Sequence, residues 1–357
     1  IDDLSADVVA NYYRRISELY ENAEHLYREM VSNGVAKECA RAILPLSTQT
    51  RLFMNEDPPP RSDDAATPRV HCEITRPWAR ELPIWLASQR VDSIQVLGEH
   101  LTFDGERGLP VRLPVSLQRR FPERLAAGMN VEQLYWQVLE AGLRIPPSAG
   151  SGFGKRGSPL GYNRIYAFCQ PLTVEGWWEA LRSGRSFITN GPLLRVTVNE
   201  QVPGHLFIRP AGEVLELDVA VQLTVADPVQ YLDVIYNGEK LYEARLDEFS
   251  REGGRIPSLK VAASGWLVVR VVTERDHTYR MASTAPYYFE FGGQPRISRS
   301  SVEYFRKWLS LAREEAQGER EAVGDTPPNA DAWRAAAVFY DAAAKFWEAR
   351  LAEANCD

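Results

Sequence analysis

Apolar residues near the start of the chain recur at spacings of three and four: Leu4, Val8, Tyr12, Ile16, Leu19, Ala23, Leu26 and Met30. That is the period of a helix with one apolar face. An amphipathic helix is therefore expected over residues 2–31, stopped by Gly34 and followed by a short second helix that runs to Pro45. The stretch NEDPPPRSDDAATP at 55–68 carries prolines and charges in place of any period and reads as a linker. Beyond it, short apolar runs alternate with helical patterns. They are IWLAS around Ile84, VDSIQVL around Ile94, a helix in VEQLYWQVLEAG from Val131, LRIPPS from Leu143, YNRIYAF from Tyr162, and a helix in VEGWWEALRSG from Val174. This order predicts an α/β unit.

From Pro192 to Phe291 the pattern becomes strands and turns. Leu215, Leu217, Val219, Val221, Leu223 and Val225 alternate with polar or smaller residues, the mark of a half-buried strand. Asn237-Gly238 between apolar runs predicts a tight hairpin, and GWLVVRVV and YYFEF add strands. An antiparallel sandwich follows. Ser300-Ser301-Val302-Glu303 then offers a capping box. Val302, Phe305, Leu309 and Ala312 form one stripe, GDTPPN breaks it, and Trp333, Ala337, Tyr340, Ala344, Trp347 and Leu351 form a second. A helical hairpin is expected, its aromatic stripe serving as packing rather than a cofactor box.

Composition narrows the function classes. The 357 residues suffice for two or three domains, with 45% apolar and 25% charged positions, as in a globular protein. The 41 basic and 48 acidic residues leave a net charge of −7, which argues against a nucleic-acid binder. No apolar run reaches the length of a membrane span, and the acidic IDDLSADVV start does not read as a signal peptide, so localisation stays open. Cys39, Cys72, Cys169 and Cys356 are scattered and read as free thiols.

Two familiar motifs fail on context. Gly152-Phe153-Gly154-Lys155-Arg156-Gly157 spells GxGxxG, but Pro159 and Gly161 follow where a dinucleotide site needs a helix. A surface loop or a mobile, mildly cationic loop beside a pocket is the reading left. No GxSxG elbow exists, which disfavours a serine hydrolase. Of the five histidines, His25, His71, His100, His205 and His277, His25 falls on the first helix and His277 in a polar turn. His71 and His100 each lie on or at the end of a strand-like run beside a carboxylate, Glu73 and Glu99. Positions i and i+2 of a strand share a face, so His71 and Glu73 are placed to meet one ion. Imidazole with carboxylate suits zinc, manganese or iron, although spacing alone favours strand-end histidines that bind nothing.

Longer strings carry a resemblance. ELPIWLASQRVDSI, LRIPPSAGSGFG, PLGYNRIYAF, GWWEALRSGRSFITNGPLLRVTVNEQVPGHLF, GWLVVRVVTERDHTYRMASTAPYYFEFGG and RISRSS stand in one order. In order and spacing they resemble the CehA/McbA-type, carbaryl-hydrolase-like metallohydrolases, which carry a PHP-type metal domain. The resemblance runs from about Arg69 to Asp357. It implies that His71, Glu73 and His100 face a divalent metal. Glu73 stands where the family more often has Asp, and Gly98-Glu99-His100 replaces Asn-Asn-His. Thr75 replaces a common Glu, and Ala79-Arg80 replaces aromatic residues. The family's opening HxH strand and Asp-His pair have no counterpart in this role, so the first part of the barrel is expected to be missing. Earlier, GVAKECARAILPLSTQTRLFMN resembles the flavin-dependent thymidylate synthases, Arg51 matching an arginine that contacts dUMP in that family. The family's RHRxxSxNExSxRY motif is absent, so FAD is not expected to bind this fragment.

The fold expected is α+β and multidomain. It comprises a helical segment at 1–55, a linker at 56–68, a partial PHP-like α/β barrel at 69–191, a β-sandwich at 192–293 and a helical hairpin at 294–357. The function expected is metal-dependent hydrolysis of an ester, carbamate or amide-like bond in a small-molecule substrate. Tyr162, Asn163, Arg164 and Asn190 are pocket candidates, because polar groups at strand ends beside glycine-rich loops line sites. Their other reading is turn and strand-end hydrogen bonding. The competing classes are a non-catalytic fusion whose sandwich binds or packs and, more weakly, a nucleotide-contacting fragment through Arg51. The N-terminal stripe is expected to pack on the body or to mediate self-association.

Overall fold

The computed structural model describes residues 71–74, 80–98, 100–102, 105–106, 126–151, 161–245, 249, 255–275, 278–323 and 327–357, with scattered positions between Arg15 and Asn33. The chain divides into two compact units, Ile1–Ala66 and Thr67–Asp357, close to the expected linker. In the first unit Arg15, Glu18, Asn22, His25, Leu26, Glu29 and Ser32 are helical and exposed. Leu26, which the period places on the apolar stripe, is 46% exposed. The other stripe positions lie outside the described residues.

The second unit is mixed α and β. It begins with β1 (His71–Glu73), α1 (Leu82–Ala87), β2 (Ser93–Leu97), β3 (Leu101–Thr102), β4 (Gly105–Glu106), α2 (Ala126–Glu140) and β5 (Pro147–Ala149). The IWLAS run, read with the apolar runs, forms helix α1, with Pro83 in its first turn. β1, β2 and β5 form a parallel three-stranded sheet in the order β1-β2-β5. Among the described residues this sheet does not close, and the expected partial barrel is not seen: three parallel strands stand in an open sheet. One face holds Cys72, Ile94 and Val96, packed in an apolar cluster with Leu134 and Val138 of α2. The other face is polar, because the register aligns His71 with Ser93 and Gln95 with Ser148.

The remaining elements are β6 (Arg164–Ala167), α3 (Val174–Arg182), β7 (Ser186–Thr189), β8 (Leu193–Val198), β9 (Leu206–Arg209), β10 (Leu215–Leu217), β11 (Val219–Thr224), β12 (Val229–Tyr236), β13 (Glu239–Ala244), β14 (Leu259–Val261), β15 (Gly265–Thr273), β16 (Met281–Thr284), β17 (Tyr287–Phe291), α4 (Arg299–Val323) and α5 (Pro327–Glu353). The large sheet runs β13-β12-β15-β16-β7-β6, with β17 and β9 joined beside β15. β6 and β7 therefore belong to the same sheet as the sandwich strands, and the expected division at 191/192 falls inside one compact unit. The alternating run from Leu215 is two strands, not one. β10 pairs with β14 and β11 pairs with β8, because Asn199 holds both the N–H and the carbonyl of Asp218 at the break. Asn237 and Gly238 join β12 to β13 at φ of 52° and 80°, the left-handed pair that a tight hairpin of this twist requires.

β15 separates two cores. Trp266, Val268 and Val272 join the cluster beneath the helices, whereas Leu267, Val269 and Val271 join the sandwich cluster. Arg270 falls in the first register and is buried. Its guanidinium donates to Asp233 Oδ2 of β12 at 2.6 Å and to Glu132 Oε2 of α2 at 2.5 Å, and Tyr279 donates to the same glutamate at 3.0 Å. At the other end of α2, Glu140 accepts from Trp266 Nε1 at 2.9 Å and Arg296 Nε at 2.8 Å.

The last two helices pack antiparallel, with Phe305 stacked on Trp347 and Tyr340 donating to the Ala312 carbonyl. Tyr340 and Trp347 are buried, as the stripe predicts, and Trp347 Nε1 donates to the Pro83 carbonyl. The cap of α4 differs from the expected box. Ser298 Oγ accepts from the Ser301 N–H at 3.3 Å, two residues before the predicted Ser300.

Removing one partner from a buried charge network leaves the others uncompensated. Arg270→Ala is expected to lower the unfolding free energy by about 3–5 kcal/mol in urea titrations. A loss under about 1 kcal/mol would show that Arg270 does not hold α2 to the sheet.

Candidate functional site

Among the described residues, the polar face of the parallel sheet sets His71 against buried polar side chains. His71 Nδ1 lies 2.8 Å from Ser93 Oγ and 2.9 Å from Ser148 Oγ. Ser93, Gln95 and Ser148 are buried and His71 is half-buried. Glu73 pairs with Gln95 in register, and its side chain lies outside the described residues.

His100 lies just past the end of β2 and is fully buried. Neither ring nitrogen has a hydrogen-bond partner among the described residues. Gly98 permits this placement, since a Cβ there would stand 3.1 Å from both His100 Nδ1 and Gln95 Oε1. The Gln95 side chain reaches toward Gly98, on the side of His100, and its backbone pairs with Ser148. Burial alone holds His71 down to about 4 and His100 down to about 3, so both rings are neutral at pH 7. Neutral imidazole is the form that binds a metal.

The carboxyl ends of the strands are tied together by Asn163. Its Nδ2 donates to the Gly98 carbonyl at 3.0 Å, Gly150 at 3.2 Å and Leu101 at 3.4 Å. Ser151 Oγ accepts from the Asn163 N–H at 2.9 Å. The amide oxygen Oδ1 is buried without a partner among the described residues, and so is Arg164 Nε, whose guanidinium lies over Tyr166. Tyr162 is buried, its hydroxyl 3.5 Å from Thr278 Oγ1 and its ring beneath Arg280.

Asn190 is not part of this group. Its side chain donates to the Tyr279 carbonyl at 2.9 Å and accepts from the Met281 N–H at 2.8 Å. Both polar atoms are satisfied, which is the strand-end hydrogen bonding weighed from the sequence. Arg51, His277 and the Gly152–Gly157 loop lie outside the described residues. Among the described residues, no three His, Cys, Asp or Glu side chains come together as a ligand set. The donors that fit a divalent cation are the two neutral imidazoles, and the unpartnered His100 is the stronger fit.

Sequence reasoning missed Ser93, Gln95 and Ser148. The signal was present: in Ser93-Ile94-Gln95-Val96 polar and apolar residues alternate, so a strand with a polar buried face was legible.

Comparison with known proteins bears on the first unit. Residues 3–57 match the family model described as thymidylate synthase complementing protein. The chain is 41% identical over 54 residues to the flavin-dependent thymidylate synthase of Synechocystis sp. (strain ATCC 27184 / PCC 6803 / Kazusa), covering 15% of this chain and 25% of that protein. It is 51% identical over 37 residues to a probable flavin-dependent thymidylate synthase of Paramecium bursaria Chlorella virus 1, covering 10% of this chain and 17% of that protein. The N-terminal segment resembles a fragment of a flavin-dependent thymidylate synthase. The chain spans a quarter or less of the length of these relatives, and the family match ends before the second unit begins.

The two lowered histidines give a signed pH dependence. The unfolded chain binds protons near pH 6.5 while the folded chain binds them only near 4 and 3, so the unfolded state holds more protons in between. Stability in chelator-treated buffer is therefore full above about pH 6.5 and falls as pH drops, by about 1.4 kcal/mol per pH unit per histidine. Denaturation curves from pH 7.5 to 4.5 measure it. His71→Gln/His100→Gln is expected to flatten the slope, and an unchanged slope would assign the acid sensitivity elsewhere.

Proposed function

We propose that Thr67–Asp357 is the body of a metal-dependent hydrolase acting on ester, carbamate or amide-like bonds of a small molecule. The observation that carries the reading is His100: a fully buried, neutral imidazole with no partner at either ring nitrogen among the described residues. Such a group costs stability unless something binds it. The resemblance to the CehA/McbA-type hydrolases, with a partial PHP-like layer, supports the same assignment, as does the position of His100 at the carboxyl end of a parallel strand.

In this reading His100 and His71 hold the ion, and Glu73 on the same strand as His71 supplies a carboxylate. Zinc, manganese or iron suits these donors. A divalent ion would polarise the scissile carbonyl and lower the pKa of water toward about 7. The chain's own groups do the rest. Asn163 holds the exits of β2 and β5 together through three carbonyls. Its free Oδ1 and Arg164 Nε offer an acceptor and a donor to the substrate. The departures at Thr75, Glu99 and Ala79-Arg80 point to a substrate preference unlike the family's.

The match over residues 3–57 supports a second, narrower reading, nucleotide contact through Arg51. Calorimetric titration with dUMP tests it. Binding that disappears in Arg51→Ala would support it, and no heat from the wild-type chain would end it.

For the hydrolase reading, metal analysis of the full chain purified without chelator is decisive. Bound zinc, manganese or iron is expected, together with metal-dependent release of nitrophenol from 4-nitrophenyl acetate or a 4-nitrophenyl carbamate. His100→Ala should weaken zinc binding by about 10-fold or more. A metal-free protein, or equal zinc affinity in the variant, would rule the reading out.

A further inference from the structure

Ser93 opens β2 and Ser148 lies in the middle of β5, yet both hydroxyls reach one atom, His71 Nδ1. The register explains the convergence. His71 is aligned with Ser93, and Ser148 with Gln95 two residues further along the same face of β2. Ser148 is fully buried and Ser93 nearly so. Alanine or valine would pack there without a hydroxyl to satisfy, so these serines are explained by what their oxygens do. A hydroxyl both donates and accepts. The pair therefore holds Nδ1 in either tautomer, donating to its lone pair or accepting from its N–H. Nε2 is the ring nitrogen left for a ligand, and a cation requires its lone pair, which places the proton on Nδ1 facing the serines.

We infer that Ser93 and Ser148 are positioning residues that fix the His71 ring and direct Nε2 to a divalent cation. The inference rests on the metal reading above and deepens it. It names the ligating atom and assigns the orienting role to two hydroxyls rather than to a carboxylate or a backbone carbonyl. The cost of the buried polar face is also explained, since each hydroxyl is used by the ring.

The test uses the full chain with nitrogen-15-labelled histidine, at one pH, before and after adding zinc alone. Without metal, the wild type is expected to show one set of His71 ring resonances, and Ser93→Ala/Ser148→Ala a different tautomer ratio. Zinc should then move Nε2 of His71 and leave the proton on Nδ1. Zinc affinity should fall about 10- to 100-fold in the alanine pair, and Ser93→Thr, which keeps a hydroxyl, should restore most of it over Ser93→Ala. Near-ultraviolet circular dichroism reports folding, and the two single alanine variants carry the comparison if the pair does not fold. Identical ring resonances and zinc affinity with and without the hydroxyls would overturn the inference, as would zinc ligation through Nδ1. Resonances that respond to serine removal in a chain that binds no zinc would overturn the hydrolase reading and the cation, while the serine–histidine contact would stand.

Discussion

β15 must satisfy two cores at once. All nine of its residues are buried, and alternate side chains enter the cluster under the helices and the cluster inside the sandwich. A strand buried on both faces reads as a nearly continuous apolar run, and the one strongly polar interruption is Arg270. It aligns with Asp233 on the neighbouring strand and reaches Glu132 on α2, so sheet and helix share one charge network. Burying an arginine is worthwhile only with partners on every side. The network therefore specifies where α2 lies more than it adds stability. The parallel sheet packs on α2 in turn, so the position of His71 and His100 depends on this contact, made on the far side of the helix layer.

The elements most legible in the sequence are those whose determinants are local. The Asn237-Gly238 turn requires two left-handed residues, and the pair that adopts them cheaply is written in the chain. The stripe with Tyr340 and Trp347 is set by helical period alone. What escaped reading depends on distant partners. The break at Asp218 is made by Asn199, and nothing in the alternation from Leu215 to Val225 marks it. β6 and β7 read as part of an α/β unit because a helix lies between them, yet antiparallel pairing of β7 with β16 draws them into the large sheet. The capping residue of α4 is decided by which serine hydroxyl the chain aims at the helix start, and the Ser-x-x-Glu pattern two residues later was an equally good local candidate.

The candidate site separates in the same way. Sequence placed Asn163 and Asn190 in one group, with Tyr162 and Arg164, because all are polar groups at strand ends beside glycine-rich loops. The structure distinguishes them by satisfaction. Asn190 spends both polar atoms on the backbone of β16 and its approach, so it works as a piece of sheet. Asn163 spends its amide hydrogens on three carbonyls and leaves its oxygen buried and unpartnered. The asymmetry matters because an unpaired buried acceptor costs about 1–3 kcal/mol, whereas a satisfied one is near neutral.

That cost argues for use. His100, Asn163 and Arg164 together leave several buried polar atoms without partners among the described residues, close in sequence or contact to the ends of parallel strands. A fold selected for stability alone would fill these positions with apolar side chains, as it does on the opposite face with Cys72, Ile94 and Val96. The two faces of one three-stranded sheet thus follow different rules. The face against α2 obeys packing, and the other carries serines, a glutamine and histidines that packing would not choose. Where local rules are broken on one face and kept on the other, function is the economical explanation. That face carries His71 held by two serine hydroxyls and, past the end of β2, a buried His100 with no partner among the described residues, and these are the groups on which the proposed function rests.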